Sequence, residues 1–205
     1  MLILARCVNL SLLGVASAVR FSALRMPTLS MLSLAAPKVL VPIADDSEEV
    51  ETACITDTLV RAGASVTVAS VMPDGRLQVS MSRGLKVCAD TTIEECASQA
   101  WDCIALPGGM PGAERLRDCK ILTSLLKRHT SSGGLTAAVC ASPAVVLASH
   151  GLLPEAATCY PAPAFKERVP GWEDAQVVVD GNLVTSQGPG TSLQFAYAQA
   201  QAPNS

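Results

Sequence analysis

The sequence predicts an α/β domain in which helices cover both faces of a mostly parallel, doubly wound sheet. Short apolar runs typical of buried strands alternate along the chain with longer runs of helical periodicity. Hydrophobic residues make up 49% of the 205 residues and charged residues 16%, which is the composition of a folded globular protein. No internal repeat or long linker divides the alternating region, so we expect one domain.

The first half of the alternating region contains two predicted strands and one predicted helix. Lys38–Ile43 (KVLVPI) is the continuous apolar run that a buried parallel strand shows. Residues 48–62 have helical periodicity, and Gly63 is expected to end that helix. Residues 65–71 (SVTVASV) form the second predicted strand, and a short extended segment is expected at 85–88.

The second half continues the alternation and ends in a hairpin and a helix. The predicted elements are strands Cys103–Leu106 and Leu135–Val139, helices 113–128 and 141–149, hairpin strands 177–179 and Leu183–Ser186, and a final helix from about Thr191. Strands that alternate with helices in this way favour parallel crossover units. The pattern therefore indicates a flavodoxin-like sheet.

Composition and charge exclude several kinds of partner and site. A formal net charge of −3 gives no basic face for nucleic acid, so we expect no such partner. The eight cysteines occur singly, without a CxxC pair, which favours reduced thiols over a disulfide framework. With only His129 and His150 available, we expect no metal site, and no motif indicates an organic cofactor.

Residues 1–36 differ in composition from the domain predicted at 37–205. They contain no Asp or Glu, and three arginines are spaced among Ser, Ala and Leu, as in mitochondrial or plastid transit peptides. We therefore predict a leader and an organelle location. A signal-peptide core at 7–19 is an alternative, but that run is too short to span a membrane, so we expect no membrane association. A true start at Met26 or Met31 would instead leave a cytoplasmic protein.

Cys140 lies at the junction between a predicted strand and a predicted helix. A residue at such a junction sits in a sharp turn that directs its side chain outward at the carboxyl edge of the sheet. The positive end of the following helix would favour the thiolate. A small buried apolar cysteine is the alternative interpretation, and the junction alone does not separate the two.

Two further strand ends carry groups that suit chemistry at the same edge of the sheet. The first strand leads into the acidic segment 45–52, and the strand before 107–112 ends in a glycine-rich turn. Carboxyl ends of parallel strands meet at one rim, so an acid, free backbone N–H groups and the thiol of Cys140 should converge there. Together they would supply a proton donor or acceptor, an oxyanion site and a nucleophile.

Four stretches carry a resemblance to a known family. SEEVET (47–52), LPGG (106–109), AAVCASP (137–143) and SQGPGTS (186–192) closely resemble the DJ-1/PfpI family, in its parkinsonism-associated deglycase branch. The resemblance extends from about residue 37 to the C-terminus. It implies a flavodoxin-like fold, with the C-terminal helical region short in this chain.

The resemblance assigns roles to residues at the predicted rim. Cys140 matches the family's oxidation-sensitive nucleophile, and Glu51 matches the acid that stays protonated beside it. The oxyanion donors fall on the backbone N–H groups of Gly109 and Ala141, with Gly108 in the same turn. Without the resemblance, an ordinary solvated acid in a first helical turn is the simpler interpretation of Glu51.

The resemblance also implies possible supporting roles for three more residues. Arg61 and Arg83 match arginines near the family's site and dimer interface, although plain surface charges are the alternative. Tyr160 stands where the deglycase and glyoxalase branch commonly has a histidine. Family proteases have a histidine directly after the nucleophile, and Ala141 in that position argues against peptidase activity.

The resemblance implies a cysteine-dependent deglycase or glyoxalase, acting without a cofactor on methylglyoxal, glyoxal or their early adducts on proteins. A homodimer and protection against oxidative stress are implied with it. The alternative function is a redox sensor or holdase chaperone that is switched by oxidation of Cys140, with little catalysis.

Overall fold

The computed structural model describes residues 35–202, which are built around a seven-stranded sheet. The strands are β1 (Lys38–Ile43), β2 (Ser65–Ser70), β3 (Gln78–Ser80), β4 (Lys86–Cys88), β5 (Thr91–Thr92), β6 (Cys103–Leu106), β7 (Leu135–Val139), β8 (Val177–Asp180) and β9 (Leu183–Ser186). The sheet order is β5-β2-β1-β6-β7-β9-β8, and β3 pairs with β4 in a separate antiparallel hairpin. Only the β8–β9 pair of the sheet is antiparallel. This is the predicted flavodoxin-like topology.

The helices form two groups around the sheet. They are α1 (Glu49–Arg61), α2 (Ile93–Cys96), α3 (Gly112–Asp118), α4 (Lys120–Ser131), α5 (Pro163–Lys166) and α6 (Ser192–Gln201). α1 packs against α6. α4 packs against both α2 and α3, and α3 also packs against a π-helical turn at Pro143–Leu147. Helices therefore lie on both faces of the sheet, as predicted.

Two predicted helices differ from the observed elements. The helix expected at 113–128 is divided into α3 and α4, because Cys119 adopts an extended conformation with ψ 104°. The helix expected at 141–149 is the π-helical turn Pro143–Leu147 followed by the 3₁₀ turn Ala148–His150. Periodicity does not separate these helix types, since each presents an apolar side to the core.

The remaining strand and helix predictions agree closely with the structure. Gly63 follows α1 with φ +92°, a left-handed conformation that glycine adopts without strain. β8 and β9 form the predicted hairpin, and α6 begins one residue after the expected position. The sequence analysis missed β3, β5, α2 and α5, which are four residues long or shorter.

The core lies on both faces of the central strands β1, β6, β7 and β9, whose side chains are almost all buried. Seven cysteines fall in the described part of the chain, and all are free thiols. Three of them are buried, and Cys88 is exposed. No helix within residues 35–202 is both long and apolar enough to cross a membrane. The predicted leader lies outside the described residues.

Candidate active site

Cys140 directly follows β7 in a sharp backbone turn. Its φ is +62°, a left-handed conformation that is uncommon for residues other than glycine. Its N–H donates to the carbonyl of Ser186 at 3.0 Å, and its carbonyl accepts from the N–H of Tyr160 at 2.7 Å. The strained turn is therefore held by the end of β9 on one side and by the segment at Tyr160 on the other. Strained backbone that is fixed in this way is typical of functional sites.

Glu51 lies in the first turn of α1 and is fully buried. The helix begins at Glu48, whose carboxylate accepts from the N–H of Glu51 at 2.7 Å. Oε2 of Glu51 accepts from the N–H of Gly108 at 2.6 Å. Oε1 has no hydrogen-bond partner of regular geometry among the described residues, and it is the oxygen left to interact with the Cys140 thiol. A buried anionic oxygen without a donor is costly, so Oε1 is the natural position for a proton.

Burial raises the pKa of Glu51 to about 7, although the N–H of Gly108 acts in the opposite direction. The negative charge of Glu48 raises this pKa further. Burial also raises the pKa of the Cys140 thiol, and an ionised Glu51 raises it again. The backbone N–H groups of Gly109 and Ala141 lower the pKa of Cys140, but burial and Glu51 outweigh them.

The two groups behave as a pair with a shared proton. The state in which both groups are anionic is disfavoured, because an ionised Glu51 raises the pKa of the Cys140 thiol. With one proton on the pair, the thiolate exists when that proton resides on Glu51. The N–H groups of Gly109 and Ala141 lower the pKa of Cys140 and so favour this form. The pair can thus deliver a nucleophile and an acid together.

The glycine turn after β6 fits tightly against its neighbours. A Cβ on Gly108 would lie 2.7 Å from Cβ of Cys140 and 3.0 Å from the nitrogen of Ala141. Gly109 has φ +89°, and a Cβ there would lie 2.2 Å from the carbonyl oxygen of Asp46. Glycine at 108 therefore lets the turn lie close to the cysteine turn, and glycine at 109 lets it lie close to the backbone of residues 46–48.

We expect Gly109→Ala to destabilise the fold by about 2–4 kcal/mol. The strain of alanine in a left-handed conformation adds to the overlap of its Cβ with the Asp46 carbonyl. Gly63→Ala is the matched control, because Gly63 has φ +92° with nothing within 4 Å of an added Cβ. That control should cost about 1 kcal/mol, from strain alone. Urea unfolding measures both. Equal losses in the two variants would contradict the tight contact at Gly109.

An open cavity of about 340 Å³ lies over the cysteine, at the carboxyl ends of β1, β6 and β7. Its lining is Glu48, Ser82, Arg83, Gly109, Met110, Cys140, Ala141, Tyr160, Phe165 and Pro189. Glu48, Ser82 and Arg83 give this lining its charged and hydroxyl groups, and Met110, Phe165 and Pro189 are apolar. The rings of Tyr160 and Phe165 meet edge to face, with centroids 6.0 Å apart. The predicted convergence of three strand ends is therefore present in the structure.

The two predicted supporting arginines occupy different environments. Arg83 lies on the cavity wall, in a turn that Glu49 holds by accepting from the Arg83 N–H at 2.7 Å and the Ser82 hydroxyl at 2.8 Å. Arg61 lies at the far end of α1, where it pairs with Asp57 on the surface at 2.8 Å. The geometry thus places Arg83, and not Arg61, where it can reach a group bound at Cys140.

Sequence reasoning missed several residues that shape the site. Glu48 and Glu49 belong to the SEEVET stretch, and their adjacency to Glu51 was the available signal. Met110 and Phe165 gave no signal, because their position on the cavity wall depends on the tertiary fold. Within residues 35–202, no group of three or more His, Cys, Asp or Glu side chains is arranged to hold a metal ion.

Comparison with known proteins bears on this geometry. Residues 37–202 match the DJ-1/PfpI family. The chain belongs to this family. Solved DJ-1/PfpI structures include oxidized DJ-1 of Toxoplasma gondii, which is 51% identical, with a TM-score of 0.76 over 80% of this chain and 89% of that one.

Two further DJ-1/PfpI relatives are similar to this chain in sequence. Protein DJ-1 homolog B of Arabidopsis thaliana is 45% identical over 163 residues, covering 79% of this chain but only 37% of that protein. This chain therefore spans well under half of that plant relative's length. The glutathione-independent glyoxalase DJR-1.2 of Caenorhabditis elegans is 36% identical over 160 residues, covering 77% of this chain and 83% of that protein. The DJ-1/PfpI relatives thus include a protein named as an enzyme.

Proposed function

We propose that the protein is a cofactor-independent glyoxalase and deglycase that uses Cys140 as its nucleophile. The observation that carries this proposal is the buried pair of Glu51 and Cys140, in which one carboxyl oxygen lacks any other partner. The name of the nematode relative supports the same chemistry. The substrates would be methylglyoxal, glyoxal, or their early adducts on amines and thiols.

The first step would be addition of the thiolate to the aldehyde carbon. A new C–S bond forms, and the electrons of the carbonyl π bond move to oxygen. The N–H groups of Gly109 and Ala141 hold the developing alkoxide, and Glu51 then donates its proton to that oxygen. The product of this step is a neutral hemithioacetal on Cys140, and Glu51 is left as a carboxylate.

The second stage would move a proton along the bound carbon chain. The carboxylate of Glu51 removes the proton from the former aldehyde carbon, which gives an enediolate, and returns it to the neighbouring carbon. The hydroxyl proton of the hemithioacetal passes to the former ketone oxygen in the same stage, so the product is the thioester of a 2-hydroxy acid. Water then cleaves the thioester, which releases a 2-hydroxy acid and regenerates the thiol. The sum is methylglyoxal plus water giving lactate, with no external oxidant or reductant.

Purified protein incubated with methylglyoxal in the absence of glutathione tests the proposal. Lactate should accumulate in step with methylglyoxal loss. Loss of methylglyoxal without lactate would instead indicate simple adduct formation on surface side chains, and the glyoxalase assignment would be wrong. Tyr160 lies on the cavity wall in place of the family histidine, so turnover in this protein would use Glu51 as its acid and base.

A redox sensor is the second candidate, and Arg83 favours it. Arg83 borders the cavity over Cys140, so its guanidinium would be available to hold the anionic sulfinate that forms on oxidation. The Toxoplasma gondii relative is described in an oxidized state.

With limiting peroxide, we expect Cys140 to gain two oxygens, and Arg83→Gln to reduce the yield of that product severalfold. Arg61→Gln is the matched control, because Arg61 lies away from the cavity and should leave the yield unchanged. Intact mass and peptide mapping give both results. A sensor or chaperone would also change its binding to client proteins as the oxygens are gained; unchanged binding would contradict that role.

That this protein forms a homodimer stays a prediction, and so does its location in an organelle. Sedimentation of the purified chain tests the first, and a monomer at micromolar concentration would contradict it.

A further inference from the structure

The glycine turn after β6 is fixed from two sides. On the side of α1, the N–H of Gly108 donates to Glu51 at 2.6 Å, and its carbonyl accepts from the N–H of Glu48 at 3.0 Å. On the side of the cysteine turn, the hydroxyl of Ser142 donates to the carbonyl of Pro107 at 2.5 Å. The first pair of bonds sets the position of the glycine turn relative to the acid. The Ser142 bond sets its position relative to Cys140.

Ser142 is well placed to fix the distance between the glycine turn and the cysteine turn. Its side chain is fully buried, and it follows Cys140 by two residues, while Pro107 precedes Gly109 by two. The bond therefore joins the two short segments that supply the oxyanion donors. Without the hydroxyl, the buried carbonyl of Pro107 would lose this donor, and an unsatisfied buried carbonyl favours a shifted backbone.

A small shift of the turn would matter because the two segments touch through their backbones. Gly108 allows so close an approach that an added Cβ would lie 2.7 Å from Cβ of Cys140. The N–H groups of Gly109 and Ala141 both lower the pKa of the Cys140 thiol. They come from different segments, so their convergence depends on the distance between those segments.

We propose that Ser142 is a positioning residue, whose hydroxyl holds the glycine turn against the cysteine turn so that the N–H groups of Gly109 and Ala141 converge at Cys140. Its effect on turnover rests on the glyoxalase function proposed above. Its effect on the reactivity of the thiol does not. Ser142 does not line the cavity, so it is not expected to contact substrate.

Ser142→Ala tests the proposal, with Ser70→Ala as the matched control. Ser70 is also buried, and its hydroxyl donates to the carbonyl of Arg76 at 2.7 Å, away from the cysteine. We expect Ser142→Ala to lower kcat for methylglyoxal roughly 10- to 100-fold, with KM changed less than about threefold. Ser70→Ala should leave both within about twofold, although thermal unfolding should show a similar loss of stability in the two variants.

The decisive measurement is the pH profile of iodoacetamide alkylation at Cys140, followed by peptide mass mapping. In Ser142→Ala the profile should move to higher pH, because donors that favour the thiolate are displaced. Ser142→Gly, which removes the hydroxyl without leaving a methyl group, should show the same displacement. A profile that coincides with that of the parent, or an equal shift in Ser70→Ala, would overturn the proposal. If the parent does not convert methylglyoxal, the proposed function fails, but the alkylation profiles still decide the role of Ser142.

Discussion

Replacing Cys140 by serine is expected to lower kcat/KM for methylglyoxal by roughly 10³-fold or more, which is the size of effect seen when a nucleophile is removed. Serine preserves the shape of the turn, so the left-handed backbone and the two oxyanion donors should remain. A hydroxyl, however, is a far weaker acid than a thiol. A carboxyl group with a pKa of about 7 cannot remove its proton to a useful extent.

Cys54→Ser is the matched control for this variant. Cys54 is a half-buried free thiol on α1, one turn beyond Glu51, but it does not line the cavity. We expect it to retain turnover within about twofold, because it removes a thiol of similar exposure outside the site. Lactate formation measures both variants. Equal rates for Cys140→Ser and the parent would show that the reaction does not proceed through this cysteine.

Replacing Glu51 by glutamine is expected to lower kcat by about 10²–10⁴-fold, the usual contribution of a general acid and base. The amide still accepts a hydrogen bond from Gly108, so the turn keeps one of its contacts. It cannot exchange a proton with sulfur or carbon. Asp57→Asn, on the exposed side of the same helix, removes a carboxylate without touching the site and should leave the rate unchanged.

The pH dependence of Cys140 alkylation distinguishes loss of the proton carrier from a structural defect. In the parent, the fully protonated pair is unreactive. As pH rises through about 7, the first proton leaves and the remaining one can reside on Glu51 with the thiolate beside it. Reactivity should therefore rise through neutral pH.

In Glu51→Gln the thiol must ionise alone. Burial raises its pKa, so the rise in alkylation rate should move well above neutral pH. If the alkylation profile of Glu51→Gln coincides with that of the parent, the shared proton has no role and the proposed mechanism is wrong. Circular dichroism and thermal unfolding of the same samples report whether the fold is retained.

Much of the site could be predicted because its residues adjoin strand ends. Cys140 follows an apolar strand directly, and the glycine turn follows another, so the rule that carboxyl ends of parallel strands meet at one rim places them together. Glu51 lies in the first turn of the helix that follows β1, and its burial was not evident from composition. Only the resemblance to the DJ-1/PfpI family distinguished it from the neighbouring acids.

Other features could not be predicted because they depend on distant contacts. The break at Cys119 interrupts a run whose periodicity continues through it. Arg61 and Arg83 look alike in the sequence, yet one pairs with Asp57 on the surface and the other borders the cavity. The bond between Ser142 and Pro107 joins residues 35 positions apart. No local pattern marks such a contact.

The sequence by itself determined the order of strands and helices, the flavodoxin-like class, and the strand ends at which Cys140 and the glycine turn lie. These follow from periodicity and from immediate neighbours along the chain, which act before any long-range contact forms. The tertiary structure decided how Cys140 and Glu51 affect each other's pKa, which of Arg61 and Arg83 borders the cavity, and which residues line that cavity. Burial and charge proximity set those properties, and both come into being only when the chain is folded.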